Sequence, residues 1–243
     1  MSQFDELVDL IRSSSRIVFF GGAGVSTESG IPDFRSVDGL YALKYKYPPE
    51  TMLSYSFFEQ ETDEFFKFYR DKVLNTSAIP NKAHLALARL EQMDKLTSVV
   101  TQNIDGLHQK AGSKRVHELH GSVLRNYCVD CGKNYSADYV ICFNAVTPRC
   151  SECGGVVRPD VVLYEEGLNL KVIDNAVRDI EMSDLLIIGG TSLVVYPAAS
   201  LIKYHKKGRI VLINKGKTPA DHLARLTFDE AIGELLGRVM EVL

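Results

Sequence analysis

Four cysteines have the spacing of a metal site. Cys128 and Cys131 form one C-x2-C pair, and Cys150 and Cys153 form a second pair 18 residues later. Two tight turns that each present two sulfurs are typical of a four-thiolate zinc site. Four sulfurs leave no open position for water, so the predicted zinc ion is structural. A reduced redox pair is the alternative, but neither pair has the βαβ context of a thioredoxin. The fifth cysteine, Cys142, stands among apolar residues and is expected to be buried.

A second candidate site is the polar stretch Thr101-Gln-Asn-Ile-Asp-Gly-Leu-His108, which directly follows an apolar run. Its carboxamide at Asn103 and its carboxylate at Asp105 are two residues apart and can point the same way. The carboxyl ends of parallel strands are where such sheets bind ligands. The stretch therefore predicts a ligand contact, with an ordinary surface turn as the alternative.

Among six histidines, His120 is the best candidate for proton transfer. We predict that His117 and His120 share one strand and face opposite sides, because they are three residues apart. Only His120 precedes a glycine, which leaves one of its faces open to a ligand. An unperturbed histidine pKa of about 6.5 suits a general base. A buried core histidine is the alternative.

Small residues at two places could approach a phosphate. Gly22-Ala23-Gly24 follows the first apolar run, but Thr27 stands where the dinucleotide pattern G-x-G-x-x-G has its third glycine. The acidic residue that normally binds the ribose at the end of the second strand is also missing. Taken alone, this stretch is therefore as compatible with a structural turn as with a nucleotide site. Gly30 and Pro32 then interrupt any helix and produce a polar loop of the kind that covers a cofactor. Gly190-Thr-Ser192 and Asn214 end two later apolar runs and could cradle phosphates and a ribose.

Alternating helices and apolar strands must position these residues. Amphipathic spacing predicts helices over residues 3–13, 82–93, 171–182, 197–206 and 229–242, the second capped by Asn81. Apolar runs predict strands at Arg16–Phe20, Leu96–Thr101, Asp184–Gly190 and Arg209–Asn214. This order indicates an α/β fold with a doubly wound parallel sheet. Residues 40–80 and 126–155 interrupt the order as a helical and a metal-held insertion.

Composition narrows the classes of protein. The 243 residues are 45% hydrophobic and 24% charged, as in soluble globular proteins. The 28 Lys and Arg residues and the 31 Asp and Glu residues give a net charge of 28 − 31 = −3. This charge predicts no electrostatic attraction to nucleic acid or anionic lipid. No apolar run approaches the roughly 20 residues of a membrane span, and the amino terminus does not resemble a signal peptide. We therefore expect a cytoplasmic protein, and a monomer, with no nucleic-acid or membrane partner.

Read in order, the motifs resemble those of the sirtuin family. The matching motifs are Gly22-Ala-Gly-Val-Ser-Thr-Glu-Ser-Gly-Ile-Pro-Asp-Phe-Arg-Ser36, Thr101-Gln-Asn-Ile-Asp-Gly-Leu-His108, Glu118-Leu-His-Gly121, the two C-x2-C pairs, Gly190-Thr-Ser192 and Ile213-Asn214. The resemblance spans residues 16–232. It implies a Rossmann-like domain from residues 1–40, 81–125 and 156–243, and a smaller domain from a helical insertion (41–80) and a zinc-ribbon insertion (126–155).

The resemblance also implies a reaction: NAD-dependent removal of acyl groups from protein lysines, giving nicotinamide and O-acyl-ADP-ribose. His120 would be the general base. Asn103 would position the nicotinamide ribose and a water, Asp105 the nicotinamide carboxamide, and Gln102 a ribose hydroxyl, with Ile104 as a pocket wall. The other implied NAD contacts are Gly22, Ala23, Gly24, Thr27, Asp33, Phe34, Arg35, Gly190, Thr191, Ser192, Asn214 and Ile232.

For the acylated protein or peptide, the resemblance assigns Val162, Tyr164 and Val194. Segments 161–164 and 193–196 would clamp the substrate backbone as an added strand. The motif that is common in the family at this place is Phe-Gly-Glu. In this sequence it is Tyr164-Glu165-Glu166, so a glutamate replaces a flexible glycine. Sirtuins that prefer acidic acyl groups share a Tyr-x-x-Arg pair. In one alignment of the helical insertion with this pair, the arginine is present as Arg70 and the tyrosine is missing. In another alignment, Tyr69 and Lys72 would imitate the pair. We therefore predict a preference for uncharged acyl groups such as acetyl.

Three other functions remain to be weighed. A protein mono-ADP-ribosyltransferase would use the same NAD pocket with another nucleophile. A non-catalytic NAD-sensing protein would be favoured by a changed His120 or Asn103, but both residues are intact. A dehydrogenase lacks support, since the acidic ribose residue is missing.

Overall fold

Nine strands form two sheets within residues 2–33 and 45–243, the residues that the computed structural model describes. The strands are β1 (Ile17–Gly21), β2 (Leu96–Thr101), β3 (Val116–Glu118), β4 (Gly121–Cys128), β5 (Asn134–Ser136), β6 (Val157–Val161), β7 (Leu185–Gly189), β8 (Ile210–Ile213) and β9 (Leu226–Phe228). The helices are α1 (Gln3–Ser13), α2 (Pro49–Met52), α3 (Tyr55–Gln60), α4 (Thr62–Phe68), α5 (Lys82–Gln92), α6 (Leu107–Lys110), α7 (Ala137–Cys142), α8 (Leu170–Met182) and α9 (Ile232–Val242).

The larger sheet is entirely parallel, in the order β3-β2-β1-β7-β8-β9. The chain adds β2 and β3 on one side of β1 and then returns to add β7, β8 and β9 on the other side. The strand order therefore reverses beside β1, and such a switch point opens a crevice at the carboxyl ends of the strands.

Both faces of this sheet are covered, as the sequence predicts. All five residues of β1 are buried. Phe19 packs with Leu7 and Leu87 in one apolar cluster, whereas Phe20 packs with Ile180 in a second cluster on the opposite face. Side chains alternate along a strand, so a strand buried on both faces needs a continuous apolar run. This arrangement confirms the doubly wound α/β prediction.

The smaller sheet is antiparallel, in the order β5-β4-β6. It contributes Val123 and Val157 to a third apolar cluster, into which α3 and α4 insert Phe57, Phe65 and Phe66. The two insertions predicted from the sequence thus share one apolar cluster. None of the described helices is both long enough and apolar enough to cross a membrane.

Of two local predictions about secondary structure, the helix cap at Asn81 is confirmed and the helix over 197–206 is confirmed only in part. Asn81 caps α5, and its carboxamide oxygen accepts a hydrogen bond from Ala83 N at 2.9 Å. The helix predicted over 197–206 is instead a 3-10 helix, Ala198–Tyr204. At its start the backbone N–H and hydroxyl of Ser200 both donate to the Pro197 carbonyl, which closes the tighter turn.

Two predictions about side chains are wrong. Cys142 is exposed, because the short helix α7 buries only the face that carries Ala137 and Val140. His117 and His120 do not share a strand. β3 ends at Glu118, and His120 lies in the turn that leads into β4.

Candidate active site and zinc centre

The four predicted cysteines meet in space. Their sulfur atoms all lie within 4.8 Å of one another, with 3.4 Å between Cys128 and Cys153 and 3.6 Å between Cys131 and Cys150. A zinc–sulfur distance of about 2.3 Å places tetrahedral sulfurs about 3.8 Å apart. The cluster therefore fits a zinc ion held by four thiolates.

Two glycine turns shape this cluster. Gly132 N donates to Cys128 O at 3.0 Å, and Gly154 N donates to Cys150 O at 3.1 Å. Both glycines have positive φ, 72° and 78°, which residues with a side chain rarely adopt. Each turn curls the backbone around its pair of sulfurs, so the two C-x2-C words build equivalent halves of the site.

A cavity of about 770 Å3 opens at the carboxyl ends of β1, β2, β7 and β8. It collects most of the residues predicted to contact a cofactor or a substrate. These are Gly22, Ala23, Gly24, Thr27, Asp33, Gln102, Asn103, Ile104, Asp105, His120, Val162, Tyr164, Gly190, Thr191, Ser192, Asn214 and Ile232. Val194 is not among the lining residues; it is 44% exposed, and its neighbours Val195 and Tyr196 line the cavity instead. Phe34 and Arg35 lie outside the described residues.

The glycine turn lies against the end of β7 with no room for side chains. Gly24 N donates to Gly190 O at 2.8 Å. A Cβ atom on Gly22 would lie 2.9 Å from Thr191 Cβ, and one on Gly24 would lie 2.8 Å from Gly190 Cα. Backbone atoms from both loops therefore form one wall of the cavity, and a ligand can approach this wall closely.

Asn103 and Asp105 are joined through a third side chain, Ser26. The Asn103 carboxamide donates to Ser26 Oγ at 3.1 Å, and Ser26 Oγ donates to Asp105 Oδ2 at 2.7 Å. Ser26 is buried, and Asn103 is 7% exposed. One hydroxyl thus fixes the orientation of both polar groups toward the cavity. The sequence analysis did not select Ser26, although it lies within the matching glycine-rich word.

Gln102 connects two walls of the cavity. Its amide Nε2 donates to Thr191 Oγ1 at 3.1 Å, so the loop after β2 is tied to the loop after β7. A second connection, also missed by the sequence analysis, joins Glu28 to α9, where its carboxylate accepts from Gly233 N at 2.8 Å. Glu28 lines the cavity near Ile232.

His120 is held in the tautomer that a base requires. Its Nδ1 lies 2.9 Å from the carbonyl oxygen of Gln102. A carbonyl oxygen can only accept, so Nδ1 carries the proton and Nε2 is the free acceptor. Burial lowers the pKa of His120 from its ordinary value, although the hydrogen bond to Gln102 acts in the opposite direction. The imidazole is therefore neutral at neutral pH.

The cavity also bears on the two alignments of the helical insertion. Tyr69 and Lys72 line the cavity, and Arg70 is not among its lining residues. The cavity lining therefore favours the alignment with Tyr69 and Lys72 over the alignment with Arg70. Lys72 Nζ lies 3.1 Å from Asp71 Oδ2, so its charge already has a partner.

Comparison with known proteins gives one consistent result. The profile of the Sir2 family matches residues 22–197. An NAD-dependent protein deacetylase of Clostridium tetani is 59% identical over 98% of this chain and 97% of its own length. A Sir2 structure with a deacetylated p53 peptide and 3'-O-acetyl ADP-ribose superposes with a TM-score of 0.92, at 39% identity over 99% of this chain and 98% of that one. A Sir2 complex with a p53 peptide and NAD+ gives a TM-score of 0.88, also at 39% identity and with the same coverage. The chain belongs to the Sir2 family.

Proposed function

We propose that the protein is an NAD-dependent protein-lysine deacylase, chiefly a deacetylase, which releases nicotinamide and forms O-acyl-ADP-ribose. One observation carries the proposal: a neutral His120 and the linked pair Asn103 and Asp105 face the same cavity as the glycine turn. The names of the C. tetani relative and of the two Sir2 complexes support the same reaction.

The residues around the cavity divide into groups that fit the parts of NAD. The tight wall formed by Gly22, Gly24 and Gly190 would let the phosphates lie close to the backbone, and Thr191 and Ser192 would bind them. The amide groups of the three glycines already donate to neighbouring carbonyl groups. Asn214, Ile232 and Glu28 would surround the adenosine end, and Asp105 would bind the nicotinamide carboxamide. When bound, NAD supplies a cleavable bond between nicotinamide and ribose, and breaking that bond drives the attack by the acyl oxygen.

His120 would then serve as the base. Its Nε2 accepts a proton from a ribose hydroxyl, and its Nδ1 stays bonded to Gln102 O throughout. The bond to Gln102 keeps the ring from rotating, so the acceptor atom remains oriented toward the cavity. Asn103, held by Ser26, would orient the ribose and a water.

The acylated peptide would lie between segments 161–164 and 193–196. Val162 N already donates to His120 O at 3.0 Å, which places the first segment directly beside the base. Tyr164 is 39% exposed and lines the cavity, so its ring would form part of the tunnel for the acyl-lysine. Val194 would contact the peptide outside the cavity, and Phe34 would shield the reactive sugar from water.

The zinc ion would be structural. Cys128, Cys131, Cys150 and Cys153 supply four thiolates, a donor set that fills the coordination shell. We also propose the division into a Rossmann-like domain (1–40, 81–125 and 156–243) and a small domain (41–80 and 126–155). The proposed enzyme acts as a cytoplasmic monomer on acyl-lysine proteins or peptides, without nucleic-acid or membrane partners.

A single assay tests the function. Purified protein is incubated with an acetyl-lysine peptide, with and without NAD, and the products are identified by mass spectrometry. We expect loss of acetyl from the peptide, together with nicotinamide and O-acetyl-ADP-ribose, only when NAD is present. His120→Ala should largely abolish turnover, while His222→Ala, a change at an exposed position, should leave it intact. A peptide that gains ADP-ribose instead of losing acetyl would replace deacylation with ADP-ribosyl transfer.

A further inference from the structure

Glu165 has a backbone conformation that glutamate rarely adopts. Its φ is 78°, and among the described residues only Asp94 and Leu193 are other non-glycine residues with positive φ. Asp94 lies in an exposed turn after α5. Glu165 and Leu193, by contrast, lie in or next to the two segments that would hold the peptide. Such conformations persist where surrounding contacts enforce them, and they cluster at ligand clamps.

The contacts that hold Glu165 come from the helical insertion. Ser56 N donates to Glu165 Oε2 at 2.9 Å, and Ser56 Oγ donates to Glu165 Oε1 at 3.0 Å. Both carboxylate oxygens are therefore engaged by one residue in the first turn of α3. A glycine at position 165 would adopt the same backbone conformation but could not make these bonds.

The same loop is fixed on either side of Glu165. Tyr164 N donates to Leu53 O, and Tyr55 N donates to Tyr164 O, both at 3.0 Å. Glu166 pairs with Arg158 at 2.7 Å, so its charge is neutralised locally. Because Tyr164 directly precedes Glu165, the bonds from Ser56 to Glu165 add a side-chain contact to the two backbone bonds that hold the Tyr164 segment beside the cavity.

We propose that Glu165 is a positioning residue for the acyl-peptide substrate, and that it acts by tying the Tyr164 loop to Ser56. The inference rests on the proposed deacylase function. A wall that is ordered before the peptide arrives lowers the entropic cost of binding. Loss of the tie therefore weakens peptide binding and raises the peptide KM, but it leaves the KM for NAD and the kcat at saturating peptide unchanged.

Three substitutions separate the tie from the backbone strain. Glu165→Gln keeps an acceptor for Ser56 N and should bind peptide within twofold of wild type. Glu165→Gly removes both strain and tie, and it should raise the peptide KM by about fivefold. Glu165→Ala keeps the strain without the tie and should have the largest effect, about tenfold. Asp94→Gly relieves the strain of a similar positive φ at a residue outside the cavity lining. It is the matched control and should leave the peptide KM unchanged.

Two measurements decide the matter. Fluorescence anisotropy with a labelled acetyl-lysine peptide reports binding, and hydrogen exchange of the Ser56 amide in the free protein reports the tie without any turnover. We expect faster exchange and weaker binding together in Glu165→Ala and Glu165→Gly. A wild type that binds peptide while these two variants bind it equally well overturns the inference alone. A wild type that binds no acyl-lysine peptide overturns the proposed function as well.

Discussion

His120 keeps its Nδ1 atom 2.9 Å from the carbonyl oxygen of Gln102, the residue directly before Asn103. One hydrogen bond thus connects the candidate base to the loop that would orient the nicotinamide ribose. The bond assigns the proton to Nδ1 and leaves Nε2 as the acceptor. The bond joins the turn after β3 to the loop after β2. Because β3 pairs with β2, the parallel sheet itself aligns base and loop.

The pH profile should reflect the burial of His120. Burial lowers its pKa below the ordinary 6.5, so the neutral, proton-accepting form persists below pH 6.5. We therefore expect the acid-side decline of kcat/KM to be centred below pH 6.5. Steady-state rates, measured with saturating zinc at each pH, define the acidic side of the pH profile of kcat/KM. A decline centred above pH 6.5 would contradict the assignment of His120 as a buried neutral base.

Ser26→Ala should reduce activity although Ser26 is not a predicted ligand contact. The change removes the hydroxyl that holds both Asn103 and Asp105. It leaves the buried Asn103 carboxamide and the partly buried Asp105 carboxylate each short of a partner. A lost buried hydrogen bond costs about 1–3 kcal/mol, which corresponds to a roughly 5- to 150-fold loss in kcat/KM.

The control for this change is Ser77→Ala, at an exposed position outside the cavity, which should leave kcat/KM unchanged. Circular dichroism establishes that both variants are folded. Full activity in a folded Ser26→Ala variant would show that the hydroxyl does not orient the two side chains.

Loss of zinc should destabilise the small sheet. Cys150→Ser removes one of four thiolates, and Cys128 and Cys150 also belong to the apolar cluster shared by both insertions. We expect less than one zinc per chain by atomic absorption and a lower Tm. Cys142→Ser, which changes an exposed cysteine outside the cluster, should retain full zinc and the wild-type Tm. Equal zinc content in the two variants would refute the four-thiolate site.

The acyl pocket should favour acetyl over succinyl. Tyr69 is 1% exposed, and Lys72 already pairs with Asp71, so an incoming carboxylate would lose its hydration and would have to compete with Asp71 for this cation. We expect kcat/KM on one peptide to be at least about tenfold higher with acetyl-lysine than with succinyl-lysine. A propionyl-lysine peptide has an acyl group larger than acetyl but without a charge. Its kcat/KM therefore distinguishes the effect of acyl size from the effect of acyl charge. Faster turnover of the succinyl peptide would overturn this preference.

Acid should destabilise the fold through a buried histidine pair. His84 and His108 are 0% and 1% exposed, with ring centroids 4.7 Å apart. Burial lowers the pKa of both, to about 3 for His108. Below pH 6.5 the unfolded chain binds protons that the folded chain does not, so the free energy of unfolding decreases as the pH falls. Each histidine contributes a slope of up to about 1.4 kcal/mol per pH unit.

Urea unfolding between pH 5.5 and 7.5, with zinc saturating, measures this slope. His108→Asn should reduce the slope by the contribution of one histidine, whereas His222→Ala should preserve it, because His222 is exposed. An unchanged slope in His108→Asn would show that other groups cause the acid sensitivity.

Local sequence patterns were sufficient to predict the four strands β1, β2, β7 and β8, the capped helix α5 and the four zinc cysteines. Many of the predicted residues that line the cavity were selected only by the family resemblance. Strand periodicity and C-x2-C spacing act over a few residues, and the carboxyl ends of parallel strands meet at one edge whatever their sequence separation. His120 could be selected in the same way, because the glycine after it signals a turn. The proposal that it acts as a base depended on the family resemblance.

Contacts between distant segments were decided only by the tertiary structure. Ser26 joins Asn103 to Asp105, Ser56 holds Glu165 in a left-handed conformation, and Gln102 fixes the tautomer of His120. The exposure of Cys142 belongs to the same class, since an apolar stretch does not reveal which face of a short helix finds a partner. Hydrogen-bond partners depend on how whole elements pack against one another, and no local periodicity encodes that arrangement.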